Sequence, residues 1–235
     1  MIRPFVVRRQ GLADGVVALP IRTPLVRPHD DLAAIVASAT AGIARPGDVI
    51  AVSETAVAIA QGEFVVAEFV RPSRLAYALA RRAGAMATVS QPESVQLVID
   101  RVGSRRVLFA AAMHLAGRFR GKRGVFYEVL GDAIAAIDGY TGTLPPYERA
   151  IVLAPRQPDR ICEELARSGG IACAVVDAND LEKAKVLGAS GTVDRAQVER
   201  ALQGNPHGNS DEQTPIVVLK WRGRGPNPLV PGGEG

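Results

Sequence analysis

The chain has 235 residues, of which 47% are apolar and only 5% aromatic, and its formal charge is +4. That length and apolar content can bury a core as one large domain or two small ones, so disorder is excluded as the default. No apolar run approaches the ~20 residues that cross a bilayer, and Met1-Ile2-Arg3-Pro4-Phe5 lacks the apolar stretch of a signal peptide, so an unexported cytoplasmic protein with no membrane partner is expected.

In chain order, residues 16–19 read as a short strand. After a Pro-rich connection, His29-Asp30-Asp31 can cap a helix carrying Leu32, Ile35 and Val36 that ends near Gly42. Pro46-Gly47-Asp48 reads as a turn, and Val49-Ile50-Ala51-Val52 as a buried strand with Ser53 and Glu54 at its tip. Residues 72–84 read as a helix ending at Gly84. Ser90-Gln91-Pro92-Glu93 matches a capping box for a helix holding Val95, Val98, Ile99 and Val102. A strand is expected over 106–113, then a basic, glycine-punctuated loop with Arg118, Arg120, Lys122 and Arg123, then an apolar run ending at Asp138.

A further strand is expected over 149–153, and Pro158-Asp159 opens a helix with Ile161 and Leu165 that Gly169-Gly170 closes. A strand over 171–176, a helix over about 193–202 and a strand over 215–219 complete the elements. A single domain over 1–222 is expected, with a division into two subdomains near 105–135 left open and a flexible Gly/Pro-rich tail over 223–235. Strands and helices mix without a βαβ rhythm, and the glycines form neither a Walker nor a dinucleotide fingerprint. The expected class is therefore α+β, an irregular α/β sandwich and not a Rossmann sheet.

Chemistry concentrates between 138 and 216. Two apolar runs end in a carboxylate, at Asp138 and Asp177, which is how a buried strand delivers an acid to a sheet edge. Hard oxygen ligands of this kind suit Mg²⁺ or Mn²⁺, with Asn179 or Asp180 completing or orienting the shell. Arg118, Arg120, Lys122 and Arg123 suit phosphates or an anionic substrate. Glu54 and Glu212 are candidate proton acceptors for an attacking amine. Asp138-Gly139 and Asn179-Asp180 are also ordinary turn formers, and the basic loop is also readable as a solvated segment. His29, His114 and His207 are expected in capping, strand-end and loop roles, and Tyr147 in packing. Cys162 and Cys173 are too few and too far apart for a disulfide framework or a Cys-x-x-Cys site, and are expected as buried filler.

The ordered set Ile137-Asp138-Gly139, Leu144-Pro145-Pro146-Tyr147, Val176-Asp177-Ala178-Asn179-Asp180, Leu187-Gly188-Ala189-Ser190 and Gln213-Thr214-Pro215-Ile216 resembles a shorter branch of the coenzyme F-420:L-glutamate ligase family. The earlier segments Pro24-Leu25, Asp30-Asp31-Leu32 and Pro46-Gly47-Asp48-Val49-Ile50 resemble that family's opening strand, helix and strand. The resemblance implies a homodimeric α+β enzyme that uses GTP and Mg²⁺ or Mn²⁺ to join the amine of glutamate to a carboxylate through an acyl phosphate. It implies metal on Asp138 and Asp177 and nucleotide beside Asn179. The family's Ser-Lys-Ala-Glu-Gly corresponds here to Ala58-Ile59-Ala60-Gln61-Gly62, without the Lys and Glu, and its Gly-Arg after Asp-x-Asn corresponds to Asp180-Leu181. These departures imply a relative with another substrate or one without activity. The alternative from a different class is a non-catalytic anion- or nucleic-acid-binding protein using the basic loop and Lys220, Arg222 and Arg224. Nucleic acid is disfavoured, because the loop offers only Phe119 and Phe126 for stacking.

Overall fold

The structure, a computed structural model, describes residues 5–6, 10–11, 15–82, 90–119, 121–122, 125–131, 137, 145–179, 183–191, 193–208 and 213–221. It divides into two compact units: Met1–Glu63 with Pro155–Gly235, and Phe64–Ala154 inserted between them in sequence.

The first unit is built on a mixed sheet. Its strands are β1 (Phe5–Val6), β2 (Gln10–Gly11), β3 (Val16–Arg22), β4 (Val49–Ser53), β7 (Ala172–Asn179), β8 (Lys183–Ala189) and β9 (Ile216–Trp221), in the order β1-β3-β9-β4-β7-β8 with β2 also on β3. Among the described residues only β4 and β7 run parallel, and β9 lies antiparallel to both β3 and β4. This is the expected mixed α+β class, and a sheet with one parallel pair is not a Rossmann sheet.

Because side chains alternate along a strand, each strand feeds two cores. Val49 and Ala51, Ala174 and Val176, and Val217 and Leu219 face the helix Arg195–Leu202, which supplies Val198, Ala201 and Leu202. Ile50, Val52, Cys173, Val175, Ile216 and Val218 face the opposite layer: α1 (Leu32–Thr40), α2 (Glu54–Gln61) and the helix Pro158–Gly169. Cys162 and Cys173 are buried free thiols in that second core, as expected. Their mutual contact and burial push the Cys173 thiol well up, so it is an inert thiol, not a nucleophile.

Caps read from sequence hold where the residue chemistry is simple. Asp31 accepts from the Ala34 amide at 3.0 Å and starts α1. Gly170, at φ 66°, closes the helix 158–169. The apolar strands β3, β4, β6, β7 and β9 were expected, whereas the short β1, β2 and β5 were not. Nor was β8, because Lys183-Ala184-Lys185 hides its pattern and Gly188 reads as a turn. Leu187 is the extra residue of a bulge between the Val175–Gly188 and Val176–Val186 pairs. A Cβ on Gly188 would lie 2.3 Å from the Pro158 carbonyl carbon, so only glycine lets the helix start at Pro158 pack onto β8. Asp159 then accepts from the Ala189 amide at 2.9 Å.

The second unit holds β5 (Phe64–Val66) paired antiparallel with β6 (Ala150–Val152), a 3₁₀ turn at Ala67–Phe69, and the helices α3 (Arg74–Ala80), α4 (Pro92–Val102), α5 (Ser104–Phe119) and α6 (Val125–Leu130). Completing the helix count in chain order, α7 is Pro158–Gly169 and α8 is Arg195–Leu202 of the first unit. Ala76, Val95, Val98, Val107, Ala110, Leu130, Ile137 and Ile151 form the second unit's core. Tyr147 packs edge-on to Phe64, ring centroids 5.6 Å apart, and is buried as expected of a packing residue.

Two expectations fail in this unit. Residues 106–113 are not a strand but the middle of the 16-residue α5, and His114 is therefore a helical residue and not a strand end. Ala110, Ala111, Ala112 and Ala116 favour helix, while Leu108, Phe109, Met113, Leu115 and Phe119 remain exposed and remove the polar face that marks an amphipathic helix. Ser90 does not cap α4 either. Pro92 takes the first helical position and makes Gln91 the cap, with the Ser94 hydroxyl donating to the Gln91 side chain at 3.0 Å. Among the described residues no helix is long and apolar enough to cross a membrane.

Gly188→Ala is expected to destabilise the first unit by about 2 kcal/mol through overpacking. Gly191→Ala, where a Cβ meets only the flexible Glu163 carboxylate at 3.5 Å, is expected to be nearly neutral. Urea denaturation of the two variants checks the contrast.

Candidate functional site

Four strand ends of the first unit meet at one edge of its sheet. β4 passes directly into α2, so that Ser53 is both the last strand residue and the helix cap, and Glu54 is the first helical residue. Parallel pairing places Ser53 opposite Val176, so β7 emerges at the same edge with Asp177 one residue further on. β9 enters from the opposite direction. The Ser53 amide donates to the Pro215 carbonyl at 2.8 Å and the Thr23 amide to the Gln213 carbonyl at 3.2 Å, which brings 213–215 and the end of β3 to this edge. The carboxyl ends of parallel strands are where α/β sheets hold ligands, and the start of α2 adds the positive end of a helix dipole.

Asp177 is solvent-exposed and, by strand alternation, lies on the face covered by α1, α2 and α7. It sits directly across the ladder from Lys185, and Asn179 from Lys183. Partial desolvation raises the Asp177 carboxyl above its ordinary value, and the Lys185 charge opposes that rise. Among the described residues no group of three or more His, Cys, Asp or Glu could hold a metal ion. A lone carboxylate is nevertheless compatible with Mg²⁺, which keeps several waters and binds through one or two carboxylates together with substrate phosphates. Lys185 is the neighbour that sequence reasoning missed, and the Lys-x-Lys alternation of a solvent-facing strand was its signal.

His207 is more deeply placed than a loop residue need be. It is buried, its Nδ1 lies 3.1 Å from the Thr214 carbonyl oxygen, and the Thr214 hydroxyl donates to the His207 carbonyl. Burial lowers its pKa to about 4, against a weaker upward pull from Thr214, so it is neutral at physiological pH. Its role is to tie residues 205–208 to the chain entering β9.

The remaining candidates separate. Asp138, Asp180, Glu212, Arg120 and Arg123 lie outside the described residues. Arg118 is in the last turn of α5 and not in a loop, and Lys122 follows it, its amide donating to the Gly117 carbonyl at 2.9 Å. Both are exposed and belong to the second unit, whereas Glu54, Asp177 and Asn179 belong to the first. Gln61 has a structural task. Its side chain donates to the Arg156 carbonyl at 3.0 Å and accepts from the Arg156 amide at 2.7 Å, while the Arg156 guanidinium pairs with Glu63. Residues 58–62 are thus the final turn of α2 and its left-handed Gly62 cap, tied to the start of α7.

A model described as F420-0:Gamma-glutamyl ligase matches residues 20–170. The chain belongs to this family of gamma-glutamyl ligases. It is also 32% identical over 143 residues to the Coenzyme F420:L-glutamate ligase of Methanopyrus kandleri (strain AV19), a stretch covering 60% of this chain and 48% of that relative. The chain thus spans about half the length of the curated relative it matches. The family match includes Glu54 and stops before Asp177.

Two measurements follow from this edge. The raised carboxyl pKa means that the ionised form of Asp177 is not favoured by folding, so Asp177→Asn is expected to be at least as stable as the parent at pH 7 in urea denaturation. His207 has the opposite signature. Its folded pKa of about 4 lies below the ordinary histidine value of 6.5, so the unfolded chain binds the extra proton, and stability is lost as pH falls from about 6.5 to about 4. That loss is about 3 kcal/mol, and it is expected to be absent from the pH dependence of His207→Asn.

Proposed function

We propose that this protein is a nucleotide- and metal-dependent amide-forming ligase of the coenzyme F-420:L-glutamate ligase type, and that its fold is that of the family. In this reading it joins an amino acid amine, glutamate, to a carboxylate through an acyl phosphate, with GTP as co-substrate. The observation that carries the reading is the sheet edge itself, where one backbone register delivers Glu54 at a helix start and Asp177 beside Lys185.

Activation of a carboxylate by a nucleotide gathers several negative charges, which need neutralisation before an acyl phosphate can form. A divalent ion, Mg²⁺ or Mn²⁺, would supply that neutralisation, held by Asp177 and Asp138 and oriented by Asn179 and Asp180. Lys185 supplies a point charge for a phosphate oxygen. Arg118, Arg120, Lys122 and Arg123 are proposed phosphate or anionic-substrate contacts. The amine must lose a proton to attack, and Glu54 or Glu212 is the proposed acceptor. Gln61 stands where the family pattern carries an acid and spends both ends of its amide on the Arg156 backbone, which favours an acceptor substrate different from that of the relative. A homodimer and a cytoplasmic setting belong to the same proposal.

Calorimetric titration with GTP and with ATP, each with and without Mn²⁺, tests the reading. Metal-dependent binding of one nucleotide, weakened at least tenfold in Asp177→Asn while that variant stays folded, is the expected result. Binding that ignores both metal and Asp177 would remove the ligase reading and favour the alternative of a non-catalytic anion-binding protein.

A further inference from the structure

The second unit holds an open surface depression, flanked by exposed arginines, that the ligase reading does not use. It measures about 360 Å³ and is lined by Arg74, Ala78, Arg81 and Arg82. Arg74 opens α3, Ala78 lies one turn further on, and Arg81 and Arg82 are its cap and the residue after it, so three guanidinium groups flank a small residue that leaves room between them. No ion pair among the described residues involves any of the three.

Two ordinary explanations account for only part of this cluster. Arg81 and Arg82 follow the end of α3 and complement its negative terminus, which needs no ligand. Arg74 is the first residue of the helix, where the same dipole opposes a cation. Its presence in the cluster is therefore unexplained by the helix alone. A generally basic chain does not explain it either. Residues 64–154 carry twelve Lys and Arg against seven Asp and Glu, while the rest of the chain carries sixteen against seventeen. The whole positive excess of the protein thus resides in the unit that contains the depression.

We infer that Arg74, Arg81 and Arg82 form a binding site for a small polyphosphate anion, independent of metal. At the helical rise the eight steps from Arg74 to Arg82 span about 12 Å, so two linked phosphates can engage both ends where a single orthophosphate cannot. Guanidinium forks match phosphate oxygens in pairs. This inference does not rest on the ligase reading, and its residues belong to the second unit whereas Asp177 belongs to the first.

The test is calorimetric titration with inorganic pyrophosphate in the presence of EDTA, which silences any metal-dependent nucleotide site. Saturable binding is expected for the parent and for Asp177→Asn, with orthophosphate at least tenfold weaker. The triple variant Arg74→Gln/Arg81→Gln/Arg82→Gln is expected to lose binding at least tenfold. The equal-charge control Arg101→Gln/Arg105→Gln/Arg106→Gln, exposed residues of the same unit, is expected to stay within about twofold. Each single variant is measured too, so that a poorly folded triple does not decide the matter; a drop of two- to fivefold is expected from each. GTP in EDTA sorts the source: binding tighter than pyrophosphate marks a nucleotide, and equal binding marks the polyphosphate alone. Absence of saturable binding to the parent, or equal losses in the two triple variants, would overturn the inference.

Discussion

The pairing of β4 with β7 on one side and β9 on the other is the constraint from which the first unit follows. β4 is buried on both faces, and its five residues set the level of everything beside it. Parallel register with β7 puts Asp177 at the exit of the same edge that β4 leaves through Glu54. Antiparallel register with β9 brings residues 213–215 back to that edge, where their carbonyls accept from Ser53 and Thr23. Because a one-residue slip would exchange the two core faces, the apolar alternation that packs α1, α2 and α7 on one side and α8 on the other also fixes which way Asp177 faces. Packing and chemistry here share one cause.

Much of that arrangement was legible in the sequence, for a definite reason. The strands of the sheet interior are short, continuous apolar runs bounded by turn residues, and their ends are where the polar candidates fall. The sequence misled where surface and core chemistry stopped differing. α5 exposes Leu108, Phe109 and Phe119 as freely as it buries Val107 and Ala110, so the helical period left no polar trace. β8 failed in the opposite sense, since two lysines and a glycine obscure a strand whose Gly188 is needed for helix contact and not for a turn. The motif from Leu187 to Ser190 accordingly belongs to packing: Ser190 bonds the Cys173 amide at 3.1 Å and Gly188 admits α7. Lys185 could be placed only by pairing, because its partner lies eight residues away across a ladder.

Gln61 shows how a departure from a family pattern acquires meaning only with its contacts. Read alone, the replacement of an acid by an amide is a lost charge. In the structure the amide does what a carboxylate cannot, because it both donates to and accepts from the Arg156 backbone. A carboxylate there could accept from the Arg156 amide but would oppose the Arg156 carbonyl oxygen. The end of α2 is therefore committed to holding α7, and the acid that the pattern places at this position has no equivalent in the contact that replaced it.

The distribution of charge separates two kinds of task along the chain. The first unit is nearly balanced, and its exposed carboxylate at the sheet edge stands across the ladder from Lys185. The second unit carries the surplus of arginine, with three guanidiniums flanking one depression and no acid paired to them among the described residues. Evenly spread surplus charge would act through diffuse, salt-screened attraction. Charge gathered around a depression instead favours anions of matching length. The physical distinction is one of geometry, since Arg74, Arg81 and Arg82 share one depression.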